Sequence, residues 1–197
     1  MLANGALNAG DAEGTIRKEI LERDRIEAII VLPRDMFYTT DISVTLWIMN
    51  MNKKACTVNG RQLRDRTNEV LFMDLRRWNE NVEEIVIDKG KKKKKTVLTD
   101  RQIAEIKRVY NAWQSADTSQ YSDVPEFCKS AAFEDIKAKG YSLAPSKYIE
   151  FIDHDLDIDY EAEMARIQAE MRDILKSEKQ SQKMLEEAFR GIGYGID

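Results

Sequence analysis

Phe37 and Tyr38 are the residues best placed by type to meet a ligand. They stand side by side in a polar break, LPRDMFYTTDI, between two apolar runs. Pro33, Asp35, Thr39, Thr40 and Asp41 in that break are turn and loop formers. About ten residues separate the runs, more than the two to five usual for a hairpin. Aromatic rings in a loop beside a buried sheet can lie flat against a planar ligand, or they can plug the end of the sheet as core.

Other chemistry is sparse. His154 is the only histidine and sits in an acidic stretch, where a solvated imidazole is the simpler reading than a base or a ligand. Asp153, Asp155, Asp157 and Asp159 alternate, but the segment lacks the sixth-position Gly and twelfth-position Glu of a calcium loop. Cys56 and Cys128 fit no metal or redox spacing, and two free thiols suit a reducing cytoplasm. No metal site is expected. The glycines of GIGYGID have no strand before them and no helix after them, so a phosphate loop is not supported. Lys91, Lys92, Lys93, Lys94 and Lys95 form an unbroken basic run. Such a block usually means a mobile solvated loop; its functional reading is contact with nucleic-acid phosphates, which would not select sequence.

The elements that must position these residues are of mixed type. The chain has 197 residues, 34% of them charged and 43% apolar, with a net charge of −4. That composition is globular and carries no global basic signal for nucleic acid, although local patches remain open. No apolar run approaches the roughly 20 residues that span a bilayer. The first ten residues lack the basic and apolar regions of a signal peptide. Met1 to Ala12 reads as an exposed loop, followed by a helix from about Gly14 to Arg23 with Ile16, Ile20 and Leu21 on one face. Ile26–Leu32 is nearly continuous and β-branched, as a strand buried on both faces requires. Val44–Met49 and Val70–Leu75 are the next strands, and Val82, Ile85 and Ile87 suit a short edge strand. Three main strands are too few to cover Ile26–Leu32, so that strand is expected to expose apolar area.

Thr99 and Gln102 form a capping box for a helix whose apolar face is Ile103, Ile106, Val109, Tyr110 and Trp113. A short strand is expected near Phe127–Lys129, then a helix capped by Ser130 and stopped by Gly140. From Asp159 to Arg190 there is neither Pro nor Gly. Met164, Ile167, Met171 and Ile174 recur there at alternating spacings of three and four, as in a coiled-coil seam. Two readings stay open: a helix folded back on its own domain, or one docked on a partner's helices. The expected divisions are residues 1–77, a Lys-rich connector at 78–98, a small helical and mixed unit at 99–152, and an acidic linker with the long helix at 153–197.

These blocks, taken in order, resemble the modification (M) subunits of type I restriction-modification systems. The matching residues are Gly14, Ile16, Arg17, Lys18 and Leu21, then Leu32, Pro33, Phe37, Tyr38, Thr40 and Ile42. EVLFMDLR, LTDRQIAEIKRVYNAW and DVPEFCKSAAFEDIKAKGYSLAPSKYI continue the resemblance. Ser43 departs from it, because a Pro often follows the Ile. The resemblance implies adenine-N6 methylation of DNA with S-adenosylmethionine. It also implies an α/β fold: the C-terminal part of a Rossmann-like methyltransferase sheet (helix, strand, strand, further strand), then an α-helical extension ending in a long coiled-coil-like helix.

Such subunits carry a Gly-rich cofactor motif and an Asn-Pro-Pro-Phe/Tyr motif, and neither stands in this sequence. The expectation is therefore a C-terminal portion that starts after the fifth strand, with Met1 an internal methionine, and that binds no cofactor alone. Two origins stay open: a split gene, with a separate N-terminal M fragment as partner, or a truncated reading frame. The resemblance further implies a specificity (S) subunit that reads the DNA, a second M subunit and, indirectly, a restriction (R) subunit as partners. It assigns target-base stacking to Phe37, with Tyr38 as alternate, and loop support to Pro33 and Thr40. The competing reading is a non-catalytic module that binds the specificity subunit through its last helix.

Overall fold

The computed structural model describes residues 1–37, 40–86, 92–152, 159–191 and 193–194. In chain order the elements are β1 (Leu2–Ala3), α1 (Asp11–Glu22), β2 (Ile26–Val31), β3 (Val44–Met49), β4 (Cys56–Val58), β5 (Arg61–Leu63) and β6 (Glu69–Asp74). There follow β7 (Val82–Val86), β8 (Lys92–Thr96), α2 (Asp100–Gln114), β9 (Cys128–Ala132), α3 (Phe133–Ala138) and α4 (Tyr160–Gly191). Five strands form the main sheet in the order β1-β3-β2-β6-β9, while β4-β5 and β7-β8 are separate hairpins. β2 and β6 run parallel, with Ala28 opposite Leu71 and Val31 opposite Asp74. The pairings of β1 with β3, β2 with β3 and β6 with β9 are antiparallel.

β2 is the central strand, and all six of its residues are buried. The expectation that it exposes apolar area is corrected here. Successive side chains alternate between faces. Ile29 and Val31 join Val70, Phe72 and Leu21 on one face, where the Phe72 ring stacks on Tyr148 at 4.3 Å. Ala28 and Ile30 join Leu71, Met73, Val109 and Trp113 on the other. The second face is closed by α2, whose Trp113 is fully buried and donates its indole N–H to Ser130 Oγ at 2.9 Å. The boundary expected around residues 78–98 separates no bodies, because β9 pairs along β6 and residues 1–152 form one compact unit.

The amino-terminal residues also differ from the loop expected of them. Leu2 and Ala3 lie opposite Thr45 and Val44, and Leu7 enters the core. Buried Arg17 ties this segment down, donating from Nε to Tyr141 O at 2.8 Å and from Nη1 to Ala6 O at 3.1 Å. Its burial lowers its pKa from the usual arginine value, with the charge of Glu13 opposing the shift. Gly14 follows from close approach, since a Cβ there would stand 3.0 Å from Ala9 O. Among the described residues no strand continues along Leu46–Met49, so the outer edge of β3 is open beyond Thr45.

Local signals further along behave as their chemistry dictates. Thr99 and Gln102 close the capping box on α2, with Gln102 N–H donating to Thr99 Oγ1 at 3.2 Å and Thr99 N–H to Gln102 Oε1 at 2.9 Å. Ser130 is no cap: it lies within β9, and α3 begins at Phe133 without a side-chain cap. Gly140, at φ 65°, follows α3.

α4 belongs to a second unit, residues 153–197. It has 32 residues, none buried, and Arg166 pairs with Glu163 and Glu170 along it. Among the described residues no helix is long and apolar enough to cross a membrane, and no cluster could hold a metal ion. The aspartates at 153, 155 and 157, and His154, lie outside the described residues.

Candidate functional site

Because β2 and β6 are parallel, their carboxyl ends share one edge of the sheet. Ligands of open α/β sheets bind beyond that edge. The loop from Leu32 to Ser43 leaves β2 there. Its root is pinned by Leu32 N–H donating to Val44 O and Leu75 N–H donating to Val31 O, both at 2.9 Å. Pro33 is fully buried, and its ring fixes φ as the chain turns out of the strand. Asp35 takes a positive φ of 60°. Phe37 is half-buried in a bend. Thr40, also half-buried, accepts from the Ile42 N–H through Oγ1 at 3.3 Å, a turn closed within the loop itself. Tyr38 lies outside the described residues.

The same edge carries Asp74 at the end of β6. Arg76 Nε lies 2.9 Å from its Oδ1 and 3.0 Å from its Oδ2, and Nη2 lies 2.5 Å from Oδ2. The hydrogen bond to Asp74 raises the Arg76 pKa. A carboxylate so engaged is a structural anchor rather than a waiting base.

The lysine run is the main correction at this edge. Lys91 lies outside the described residues, but Lys92–Thr96 is strand β8 and not a mobile loop. Its partner strand sets Glu83 opposite Lys95 and Glu84 opposite Lys94, and Lys92 Nζ also lies 3.0 Å from a Glu84 oxygen. Opposite charges across a ladder favour pairing, which a run of lysines alone would oppose. Strand alternation then divides the lysines: Lys92 and Lys94 are exposed, Lys93 and Lys95 half-buried. β8 meets the loop at two points. Thr96 is buried and donates its N–H to Asp35 O at 2.9 Å, and Lys93 Nζ is ion-paired with Asp41.

The opposite edge of the sheet holds charges that sequence reasoning missed. Glu27, buried inside the β2 run, accepts from Arg66 Nε at 2.9 Å, Gln114 Nε2 at 3.0 Å and Asn50 Nδ2 at 2.7 Å. Burial pushes its carboxyl up, but the hydrogen bonds from Gln114, Asn50 and Arg66 outweigh burial and hold it below the ordinary value. Burial and the charge of Glu27 raise the neighbouring Tyr110 hydroxyl. Lys53 is likewise buried and donates to Ile26 O at 3.1 Å and Glu69 O at 2.6 Å, while also pairing with Asp24. The available signal was one acidic residue inside an apolar strand, which demands a buried partner. These groups are engaged by neighbouring side chains and backbone carbonyls at the amino ends of β2 and β6.

The other expected site lies in the second unit. In α4, Met164, Ile167, Met171 and Ile174 are exposed, from 36% at Met164 to 67% at Ile174. No cofactor cradle is found among the described residues. β2 leads through Pro33 into antiparallel β3, and β6 leads toward the β7-β8 hairpin. Neither parallel strand passes through a glycine-rich turn into a helix, the arrangement that receives a nucleotide-like cofactor.

The family model described as N-6 DNA Methylase matches residues 1–156. The chain is 29% identical over 196 residues to the type I restriction enzyme HindI methylase subunit of Haemophilus influenzae, covering 98% of this chain and 39% of that protein. It is 31% identical over 159 residues to the MjaVIII methylase subunit of Methanocaldococcus jannaschii, covering 81% of this chain and 23% of that one. Among solved structures, a type I restriction-modification system methyltransferase subunit from Streptococcus thermophilus is similar at a TM-score of 0.54 and 31% identity. That match covers 77% of this chain and 26% of the other.

Proposed function

The chain belongs to the N-6 DNA methylase family, and we propose that it is the carboxyl-terminal portion of a type I restriction-modification methyltransferase subunit. It spans about two fifths of the length of its Haemophilus relative. In this reading its main sheet is the last part of a Rossmann-like methyltransferase sheet. The complete enzyme moves a methyl group from S-adenosylmethionine to N6 of adenine in DNA. The residues present do not fit the cofactor, since β2 and β6 offer no glycine-rich turn and the sequence has no Asn-Pro-Pro. Cofactor binding is therefore assigned to an amino-terminal part, in one polypeptide or supplied as a separate fragment.

This chain contributes the surface that receives the target base. The observation that carries the reading is Phe37, held half-buried on a pinned loop at the carboxyl edge of the sheet. An enzyme that alkylates the exocyclic amine of adenine must take the base out of the stack. The extruded base then needs a flat apolar partner, and stacking on an aromatic ring contributes roughly 1–3 kcal/mol. Pro33 and Thr40 shape the loop around that ring, with Tyr38 as the alternate platform. Exposed Lys92 and Lys94 stand on the hairpin beside it, where duplex phosphates would approach. Partners in this reading are DNA, a specificity subunit, a second M subunit and, through them, a restriction subunit.

A second reading rests on the exposed apolar row of α4, Met164, Ile167, Met171 and Ile174. In it the chain is a non-catalytic module that binds the specificity subunit through that helix. The readings separate in an enzyme reconstituted with the amino-terminal part. Phe37→Ala should cut methylation sharply while thermal stability stays near normal, and Phe37→Trp should retain part of the rate because the ring face is kept. A drop of many degrees in melting temperature, or an unchanged rate, overturns the base-stacking role.

A further inference from the structure

Five lysines in a row are alike in sequence, but the hairpin gives them different work. Along β8, Lys92 and Lys94 face out while Lys93 and Lys95 are turned inward. The Lys93 side chain is only 19% exposed, and its ammonium is paired with Asp41 in the loop that carries Phe37. Three residues on, Thr96 is buried and gives its backbone N–H to Asp35 O of the same loop at 2.9 Å. Asp35 and Asp41 flank Phe37 on either side in sequence. The loop is therefore gripped at two points, one before the aromatic residue and one after it. Both grips come from one strand, and that strand is itself anchored at its base, where Val97 N–H donates to Asn81 O at 3.0 Å and Asn81 Nδ2 to Val97 O at 3.2 Å. Arg34 adds a bond inside the loop, from Nε to Asp41 O at 3.4 Å.

We propose that the β7-β8 hairpin is a brace for the Phe37 loop, with Lys93 a positioning residue acting through Asp41, distinct from the outward Lys92 and Lys94. The physical reason is entropy. A loop of about ten residues closed only at its ends samples many conformations, and each fixed residue costs roughly 1–2 kcal/mol of backbone freedom. Two outside attachments hold the loop at Asp35 and at Asp41, so that less of this cost falls at the moment a ligand docks against Phe37. The proposal rests on the reading of this loop as the ligand-facing one, but the grip is measurable without that reading.

Hydrogen exchange on the full chain, followed by mass spectrometry, tests it. In Lys93→Gln, amides in peptides covering residues 34–43 should exchange about two- to five-fold faster, the range expected for losing a partly exposed ion pair. Peptides covering β6 should keep their protection, which separates loosening of the loop from unfolding. Lys93→Arg should restore the parent rate. Asp41→Asn should give the same acceleration, and the double variant with Lys93→Gln should add nothing to it. Lys94→Gln should leave the loop unchanged. Unchanged loop exchange in Lys93→Gln, equal acceleration in Lys94→Gln, or additive effects at positions 93 and 41 would each overturn the brace. Should exchange behave as expected while Phe37→Ala leaves methylation intact, the brace stands and base stacking fails.

Discussion

Replacing Arg66 with Met removes one partner from a buried ion pair and leaves the other in place. The Arg66 and Glu27 side chains are 1% and 3% exposed, with Nε 2.9 Å from Oε1. Breaking such a pair on one side costs roughly 3–5 kcal/mol, because an uncompensated charge remains buried. Here Gln114 and Asn50 still donate to the carboxylate, which argues for the lower end of that range. For a unit of this size each kcal/mol moves the melting temperature by roughly 2–4 °C, so a fall of about 6–12 °C is expected.

The pH dependence carries the sign. In the parent protein the Glu27 carboxyl is held below its ordinary value. Its contribution is therefore fully present above the unfolded carboxylate pKa, about 4.3, and is lost as pH falls through the folded value. Without Arg66, burial has less opposition and the carboxyl moves up. The deficit of the variant should then be largest near neutral pH and should narrow as the solution is made acidic. Adding Glu27→Gln should recover part of the loss at neutral pH. Thermal and urea melts followed by circular dichroism at neutral and mildly acid pH measure all of this. An Arg66→Met protein within about 1 kcal/mol of the parent, or a deficit that does not change with pH, would refute the assignment of this edge as a buried charge lock.

Two further outcomes are expected. Changing both Met171 and Ile174 to Lys should abolish pull-down of a specificity subunit while the melting of residues 1–152 is unchanged; loss of folding in that unit would make the row part of its core. The open edge of β3 borders an apolar groove of about 1040 Å³ lined by Leu2, Ile16, Ile20, Trp47 and Met49. Exposed apolar edges favour pairing with another chain. The chain alone should therefore self-associate in sedimentation at tens of micromolar, and Ile16→Glu should weaken that association; a parent that stays monomeric would count against an unmet edge.

Sequence alone determined the features whose causes lie within a few residues. The β2 run declared a doubly buried strand because Ile29, Ile30 and Val31 leave no polar face. Thr99 and Gln102 announced the start of α2, since both halves of a capping box are three residues apart. The order of the Pro33, Phe37, Thr40 and Ile42 block pointed to the family and put the aromatic in a loop.

Only the tertiary structure decided what depends on distant partners. The short strand expected near Phe127–Lys129 runs on to Ala132 because the edge of β6, some sixty residues earlier, was there to pair with it. Leu2 and Ala3 became sheet through Thr45 and Val44, not through any pattern of their own. A charge at Glu27 is tolerable inside β2 because folding delivers Arg66, Asn50 and Gln114 to it. The lysine run is a strand for the same kind of reason. Like charges repel along a chain, and their conformation is settled by the glutamates of β7 that face them, and by the loop carrying Phe37 to which their inner side is joined.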